Sequence, residues 1–379
     1  MEHVLVKKVT TKREMTHFVK FTESHYACCP QFVPDMEQGV RDFFDPKKNP
    51  NLECADIQPF VAYRNGVPMG RIAGIINHKA NEKWNTRNVR FSLIEFVDDI
   101  EVSKALIEAV AQWGREHGME RIQGPMGIID FDKEGMLVED FDLNGSASSI
   151  YNFDYYPRHL EALGFQKEVD WVQVRIAIPK EVPARYARVA QYAREQIGLR
   201  VRKVKRSEVG GEIGHKAFKL FNAAYSPLFG FSELSDRQIE HLLHVYAPLL
   251  YMPMVPIVEN QDGELVGVAI TLPSMADALR RAHGRLWPMG WARLLDGLKW
   301  HRSDTAEMLL VAVRPDYQGM GVNALFFDDL IPVYNACGIK WAETGPQLEN
   351  NVRELNQWKP LHPQIVKRRR CYTKEIVNK

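Results

Sequence analysis

Hydrophobic and polar positions along this chain follow one plan that runs through twice. Val6-Lys7-Lys8-Val9 is echoed by Val201-Arg202-Lys203-Val204, and a helical segment follows each. A hairpin comes next in both halves: VAYRNGVPMGRIAGII turns at Asn65-Gly66, and MVPIVENQDGELVGVAI turns at Asp262-Gly263. Asn-Gly and Asp-Gly supply the positive φ angles of a tight hairpin, and strand-like alternation flanks both. A third strand follows (VRFSLIEFV or AEMLLVAV), then an amphipathic helix, then a short strand ending at Gly124-Pro125 or Gly345-Pro346. The first helix sets Val102, Ala105, Leu106, Ala109, Val110 and Trp113 on one face, and the second repeats this with Val322, Leu325, Phe326, Leu330, Val333 and Cys337. Pro332 is expected to bend the second helix, and Gly118 and Gly338 to end the two.

This repetition predicts an α/β (α+β) chain of two tandem domains, each a mixed, mostly antiparallel sheet flanked by helices. The two prolines of IAIPKEVPA mark a boundary, giving domains 1–180 and 181–379. A single insertion, LPSMADALRRAHGRLWPMGWARLLDGLKWHRSD, sets the second half apart.

Composition adds exclusions. The 379 residues suit two or three domains at roughly 150 each. Lys+Arg 49 against Asp+Glu 48 leaves +1, so the electrostatic reason to expect nucleic acid or an anionic membrane as partner is missing. No apolar run reaches the roughly 18 residues of a membrane span, and MEHVLVKKVTTKREM has no apolar signal core. Five cysteines without paired spacing read as reduced thiols. A cytoplasmic protein with no membrane partner is the expectation.

The chemistry concentrates in AEMLLVAVRPDYQGMGVNALFFDDLI, where a strand runs through Gln318-Gly319-Met320-Gly321 straight into a helix. Glycines there let successive N–H groups point into one concavity, and the helix N-terminus adds partial positive charge. Together they suit a diphosphate. The first-half junction carries Asp98-Asp99 instead, whose charge repels a diphosphate and suits helix capping.

The Gln318–Gly321 loop, after this strand and hairpin, resembles the acyl-CoA motif of the GNAT (GCN5-related) N-acyltransferase superfamily, with Gln318 and Gly321 at its first and fourth positions and Asn323 departing from the sixth. Across nearly the whole chain, Asn222-Ala223-Ala224-Tyr225, Gly284-Arg285-Leu286-Trp287-Pro288, Glu349-Asn350-Asn351 and Tyr155-Tyr156-Pro157 resemble a bacterial family of tandem GNAT-like proteins without a settled substrate. The resemblance implies a degenerate first domain and a second domain that holds acetyl-CoA or another acyl-CoA as co-substrate. The contacts would come from Val311, Val313, Gln318, Gly319, Met320, Gly321, Val322, Asn323 and Asn351. It implies direct attack by a small-molecule amine, with Glu307 or Glu343 as base. Trp358 stands where a thiolate-protonating tyrosine usually lies, which leaves Tyr372 as substitute. Tyr225, Phe229, Phe231 and Trp287 are candidates for the acceptor pocket. Two other readings are a non-catalytic acyl-CoA-binding protein and an aminoacyl-tRNA-dependent transferase, the latter opposed by the near-neutral charge.

Other clusters read as ordinary surface. Asp130, Asp132 and Glu134 mimic a calcium loop, but Phe141 stands where the closing glutamate belongs, so a solvated turn is expected. His241 and His244 lack a third ligand, so no metal is expected. Lys367-Arg368-Arg369-Arg370 and the basic run 200–206 read as solvated faces.

Overall fold

The computed structural model describes residues 3–377 apart from 301 and 302, and of 298–300 only the backbone. In chain order, the first half has strands β1 (Leu5–Lys8), β2 (Ala55–Arg64), β3 (Val67–Asn77), β4 (Asn88–Phe96), β5 (Arg121–Gly124), β6 (Met136–Leu137) and β7 (Gln166–Ala177). Its helices are α1 (Lys12–His25), α2 (Glu37–Phe43), α3 (His78–Trp84), α4 (Ile100–Glu116) and α5 (Tyr155–Ala162). The second half has helices α6 (Ala184–Tyr192), α7 (Arg206–Val209), α8 (Glu212–Tyr225), α9 (Asp236–Tyr246), α10 (Ala276–Ala282), α11 (Gly290–Trp300), α12 (Val322–Ala336) and α13 (Val352–Asn356). Its strands are β8 (Arg200–Lys203), β9 (Pro256–Glu259), β10 (Leu265–Pro273), β11 (Thr305–Val313), β12 (Trp341–Thr344), β13 (Gln347–Leu348) and β14 (Gln364–Glu375).

The chain divides into two compact units, and neither is continuous in sequence. One gathers Met1–Val172, Ala278–Arg293 and Lys367–Lys379; the other gathers Gln173–Asp277 and Leu294–Val366. In the first, β1 to β4 pair antiparallel in succession, β5 runs parallel to β4, and β14 pairs antiparallel with β5 through Tyr372↔Gly124. In the second, β8 to β11 pair antiparallel in succession, β12 runs parallel to β11, and residues 175–177 of β7 pair antiparallel with β12. The repeat read from the sequence is therefore a repeat of sheet order. In each unit the last strand comes from the far side of the sequence boundary.

Local chemistry explains the elements. Asn65 (φ 52°) and Gly66 (φ 77°) make the two-residue turn between β2 and β3. The second hairpin differs from expectation. Only Gly263 takes a positive φ (77°), and Asn260 closes a longer loop by accepting from the amides of Asp262 and Glu264. Helix α4 buries Val102, Leu106, Ile107, Val110 and Trp113 on its sheet, each apolar side chain contributing about 1.5–3 kcal/mol. Helix α12 does the same with Leu325, Phe326, Leu330 and Ile331, and Pro332 is accommodated within it.

Two clusters read as solvated are buried instead. Arg369 is 1% exposed, and its guanidinium donates to the Ile150 and Lys367 carbonyls and Ser149 Oγ. Arg370 and Arg368 close on the buried Asp170 (2.8 and 3.3 Å), so strand pairing turns the basic run inward. In the calcium-like turn, Asp132 Oδ2 accepts from the amides of Ile128 (2.8 Å) and Ile129 (3.0 Å), and burial pushes its carboxyl up to about 6. Among the described residues no cluster of His, Cys, Asp and Glu has metal-binding geometry, and all five cysteines are free.

Candidate functional site

The central feature of the second unit is a gap beside β11. Strand β12 accompanies β11 only from Thr305↔Trp341 to Met308↔Thr344. The register against β10 slips between Ile270 and Thr271, so that Leu309 is an extra, bulged residue at the point where pairing with β12 stops. From Leu309 to Val313, among the described residues, no strand pairs with β11 on its β12 side. Two carbonyls along this stretch accept from side chains: Val311 from Tyr225 Oη at 2.9 Å, and Val313 from Gln318 Nε2 at 3.4 Å.

The strand leads into the glycine loop. Arg314 fixes its entrance by pairing with Asp316 (2.8 Å) and Glu264 (3.0 Å) and covering the Tyr317 ring. Gly319 (φ 86°) and Gly321 (φ 88°) adopt the left-handed conformation that side chains disfavour. A Cβ at Gly319 would meet open space, whereas one at Gly321 would press on Val189 (3.1 Å) and Ala193 (3.2 Å) of the helix beside it. Within the loop, the amide of Gln318 bonds the Pro315 carbonyl (3.4 Å) and that of Met320 the Tyr317 carbonyl (3.2 Å). The amides of Gly319, Gly321, Val322, Asn323 and Ala324 donate to no group among the described residues, and Gly321 caps α12 without any side-chain acceptor. Residues 318–320 are exposed, so the loop reaches solvent beside these unspent donors.

Residues around the loop explain its departures from the motif. At the sixth position the side chain of Asn323 is held by Gln357, donating to its Oε1 at 2.5 Å. The remaining Oδ1 of Asn323 and Nε2 of Gln357 are buried without partners. Arg353 of α13 donates to Gln318 Oε1 at 3.0 Å, placing a cation beside the open amides that composition alone did not single out. Next to it, Glu354 accepts from Gln347 Nε2 (3.2 Å), and burial of its carboxyl pushes it up to about 7. The adjacency of Arg353 and Glu354 to the Glu349-Asn350-Asn351 motif was the available signal for both.

The other predicted residues fall as follows. Glu307 and Glu343 are register partners on the paired part of β11 and β12, before the gap opens. Glu307 is 4% exposed and accepts from Ser274 Oγ at 2.6 Å, and Glu343 faces Arg175 at 3.7 Å. Asn351, not Asn350, caps α13, accepting from the Glu354 amide. Phe231 is buried beside Tyr225 with ring centroids 6.0 Å apart, and Phe229 is half-buried. Trp358 is a core residue against Phe327. Tyr372 folds with the first unit, where its hydroxyl donates to Glu161 at 2.9 Å and desolvation raises its pKa. Trp287 also belongs to the first unit and is 78% exposed.

In the first unit β4 repeats the geometry but closes it. Strand β5 accompanies β4 only from Asn88 to Arg90, and the register slips between Arg71 and Ala73, with Leu93 at φ 47°. The stretch beyond is filled from within: the Phe96 amide donates to Tyr156 Oη (3.0 Å), and the Phe96 carbonyl accepts from Tyr155 Oη (2.6 Å). Glu95 lies buried there, accepting from Tyr26 (2.5 Å) and Tyr156 (2.7 Å), with His25 Nε2 3.0 Å from the Tyr156 hydroxyl. Desolvation pushes Glu95 up to about 7 against the nearby Arg71 charge. Asp99 caps α4 on the Glu101 amide and pairs with Arg64 at 2.6 Å, while Asp98 accepts from His159 at 2.9 Å.

The strand order is thus the same in both units, each with a bulged fourth strand that parts from the fifth. The chain has the tandem GNAT fold. It superposes on the tandem GNAT protein of the clavulanic acid biosynthesis pathway over the full length of both chains, with a TM-score of 0.59 at 10% identity. No protein-family model matches the sequence. The chain is 26% identical to Protein YghO of Escherichia coli strain K12 across 98% of this chain and 95% of that one. It is also 26% identical to the bacterial ceramide synthase of Caulobacter vibrioides, across 82% of this chain and 80% of that one. No helix among the described residues is long and apolar enough to cross a membrane.

Proposed function

We propose that the protein is an N-acyltransferase whose second unit holds an acyl-CoA and passes the acyl group to an amine. The observation that carries this reading is the stretch Leu309–Val313, unpaired on its β12 side, running into five open amides at residues 319 and 321–324. A thioester arm laid along β11 ends its diphosphate at these donors, with Arg353 adding charge. Midway along this stretch stands Tyr225, its hydroxyl donating to the Val311 carbonyl. The amine nitrogen attacks the thioester carbonyl, a C–N bond forms as the C–S bond breaks, and the amine loses a proton while the thiolate gains one. In this reading Tyr225 supplies the thiolate's proton, and Glu307, with Glu343 beside it, takes the amine's.

A ceramide is an N-acylated long-chain amino alcohol, so the likeness to a ceramide synthase supports a lipid amine as acceptor and a fatty acyl-CoA as donor, in place of the acetyl-CoA expected by default. Calorimetry with CoA, acetyl-CoA and a palmitoyl-CoA series tests the site, and thiol release across short and long-chain amines tests the reaction. Binding of CoA species that Gln318→Ala weakens several-fold is the expected outcome. Failure of every CoA species to bind overturns the reading, and binding without thiol release leaves an acyl-CoA-binding protein instead.

A further inference from the structure

The insertion that distinguishes the second half contributes Ala278–Arg293 to the first unit, and its far end is unusual. Gly284 and Arg285 fasten it: the Glu37 amide donates to the Gly284 carbonyl (2.8 Å), Arg285 Nε pairs with Glu37 (2.6 Å), and the same guanidinium reaches Glu23. Directly beyond this anchor four large apolar side chains stand in solvent. Leu286 is 44% exposed, Trp287 78%, Met289 57% and Trp291 46%, and Leu295, one turn on from Trp291 in α11, is exposed as well. An apolar run of this density on the surface marks an interaction site.

Charge identifies the partner. Between residues 278 and 302 the sequence holds six Lys/Arg and one acidic residue, Asp296, a net of +5 that is +4 once Arg285, held by Glu23 and Glu37, is set aside, in a chain whose total is +1. His301 and Arg302 lie outside the described residues. Arg281 and Arg293 are exposed on either side of the apolar tip. Tryptophans flanked by arginine on a short helix and its preceding loop match the interfacial zone of a bilayer, where the rings sit at headgroup depth and the cations meet anionic lipid.

We propose that Arg285–Arg293 is a docking element for the surface of an anionic phospholipid bilayer, inserting Leu286, Trp287, Met289 and Trp291. It stands independently of the acyl-transfer reading. Flotation of the full-length chain with vesicles of phosphatidylcholine alone, or with 30% phosphatidylglycerol, tests it, alongside quenching of tryptophan emission by brominated lipid. The anionic vesicles should bind about tenfold more tightly or better, with quenching, and the advantage should shrink in high salt. Trp287→Ser with Trp291→Ser should lower partitioning about tenfold. Arg281→Glu with Arg293→Glu should do so while keeping the tryptophans, which guards against a folding defect in either pair. No vesicle binding, or binding that neither pair alters, overturns the proposal. So does a concentration-dependent dimer abolished by the tryptophan pair without any vesicle binding, which would make this face a contact between copies.

Discussion

The two gaps beside the fourth strands share a backbone plan and differ in who satisfies it. In the first unit Tyr155 and Tyr156 take both polar groups of Phe96, Asp99 supplies the cap of α4, and Arg64 neutralises it. In the second unit the corresponding helix starts at a bare glycine with five amides open. Buried or partly buried backbone donors must find partners. The first unit supplies those partners from its own side chains, and the second leaves donors unspent, which is the contrast the proposed acyl-CoA site rests on.

Gly321→Glu should have the largest effect, converting the open cradle into something closer to Asp98-Asp99. A side chain at φ 88° pressed on Val189 and Ala193, with a carboxylate beside the diphosphate position, should weaken acyl-CoA binding at least about 100-fold by calorimetry. Unchanged affinity would place the ligand elsewhere.

Glu95→Gln sharpens the contrast from the closed side. Glu95 titrates near 7 when folded and near 4.5 when unfolded, so the native state binds more protons between these values and stability falls as pH rises through that window. Relative to the parent, the glutamine variant should gain on the order of 2–3 kcal/mol from pH 4.5 to 7 and level off above, read by denaturant unfolding at several pH values. A pH-independent difference would show that Glu95 is ionised throughout. Its acyl-CoA affinity should not change.

Tyr225→Phe should lower turnover about 10–100-fold while leaving acyl-CoA affinity within twofold, since the hydroxyl is assigned to proton transfer and not to holding the ligand. A parallel loss of affinity would make Tyr225 a binding residue. The smallest effect belongs to Asp99→Ala, which removes the α4 cap and one half-buried ion pair. About 1 kcal/mol of stability should be lost, visible as a lower Tm, with no change in acyl-CoA binding.

Much of this was legible in the chain. The duplicated order of hairpin, strand and helix follows from short-range periodicity and turn chemistry, and the glycine loop from spacing alone. What the sequence hid were partnerships set by long-range register. Tyr26, Glu95 and Tyr156 lie about 60 or more residues apart, and only the bulge in β4 and the packing of α1 and α5 bring their oxygens together. Lys367–Arg370 looked like solvated charge because its neutralising Asp170 sits on a separate strand. Net charge is coarse in a similar way: a near-zero total is compatible with one strongly basic segment, because averaging over 379 residues erases what the 25 from 278 to 302 carry.

The exchange of terminal strands sets a timetable for synthesis. The first sheet cannot receive its sixth strand until Lys367–Lys379 has left the ribosome, although its other strands emerge long before. A fragment stopped near residue 180 would keep an unfilled edge at β5, and one begun there would leave β12 bare on the side where Arg175–Ala177 belong. Gene halves cut at the apparent boundary should therefore yield poorly soluble products unless made together, and a frameshift within the codons of Lys367–Glu375 would be felt in a part of the protein translated much earlier.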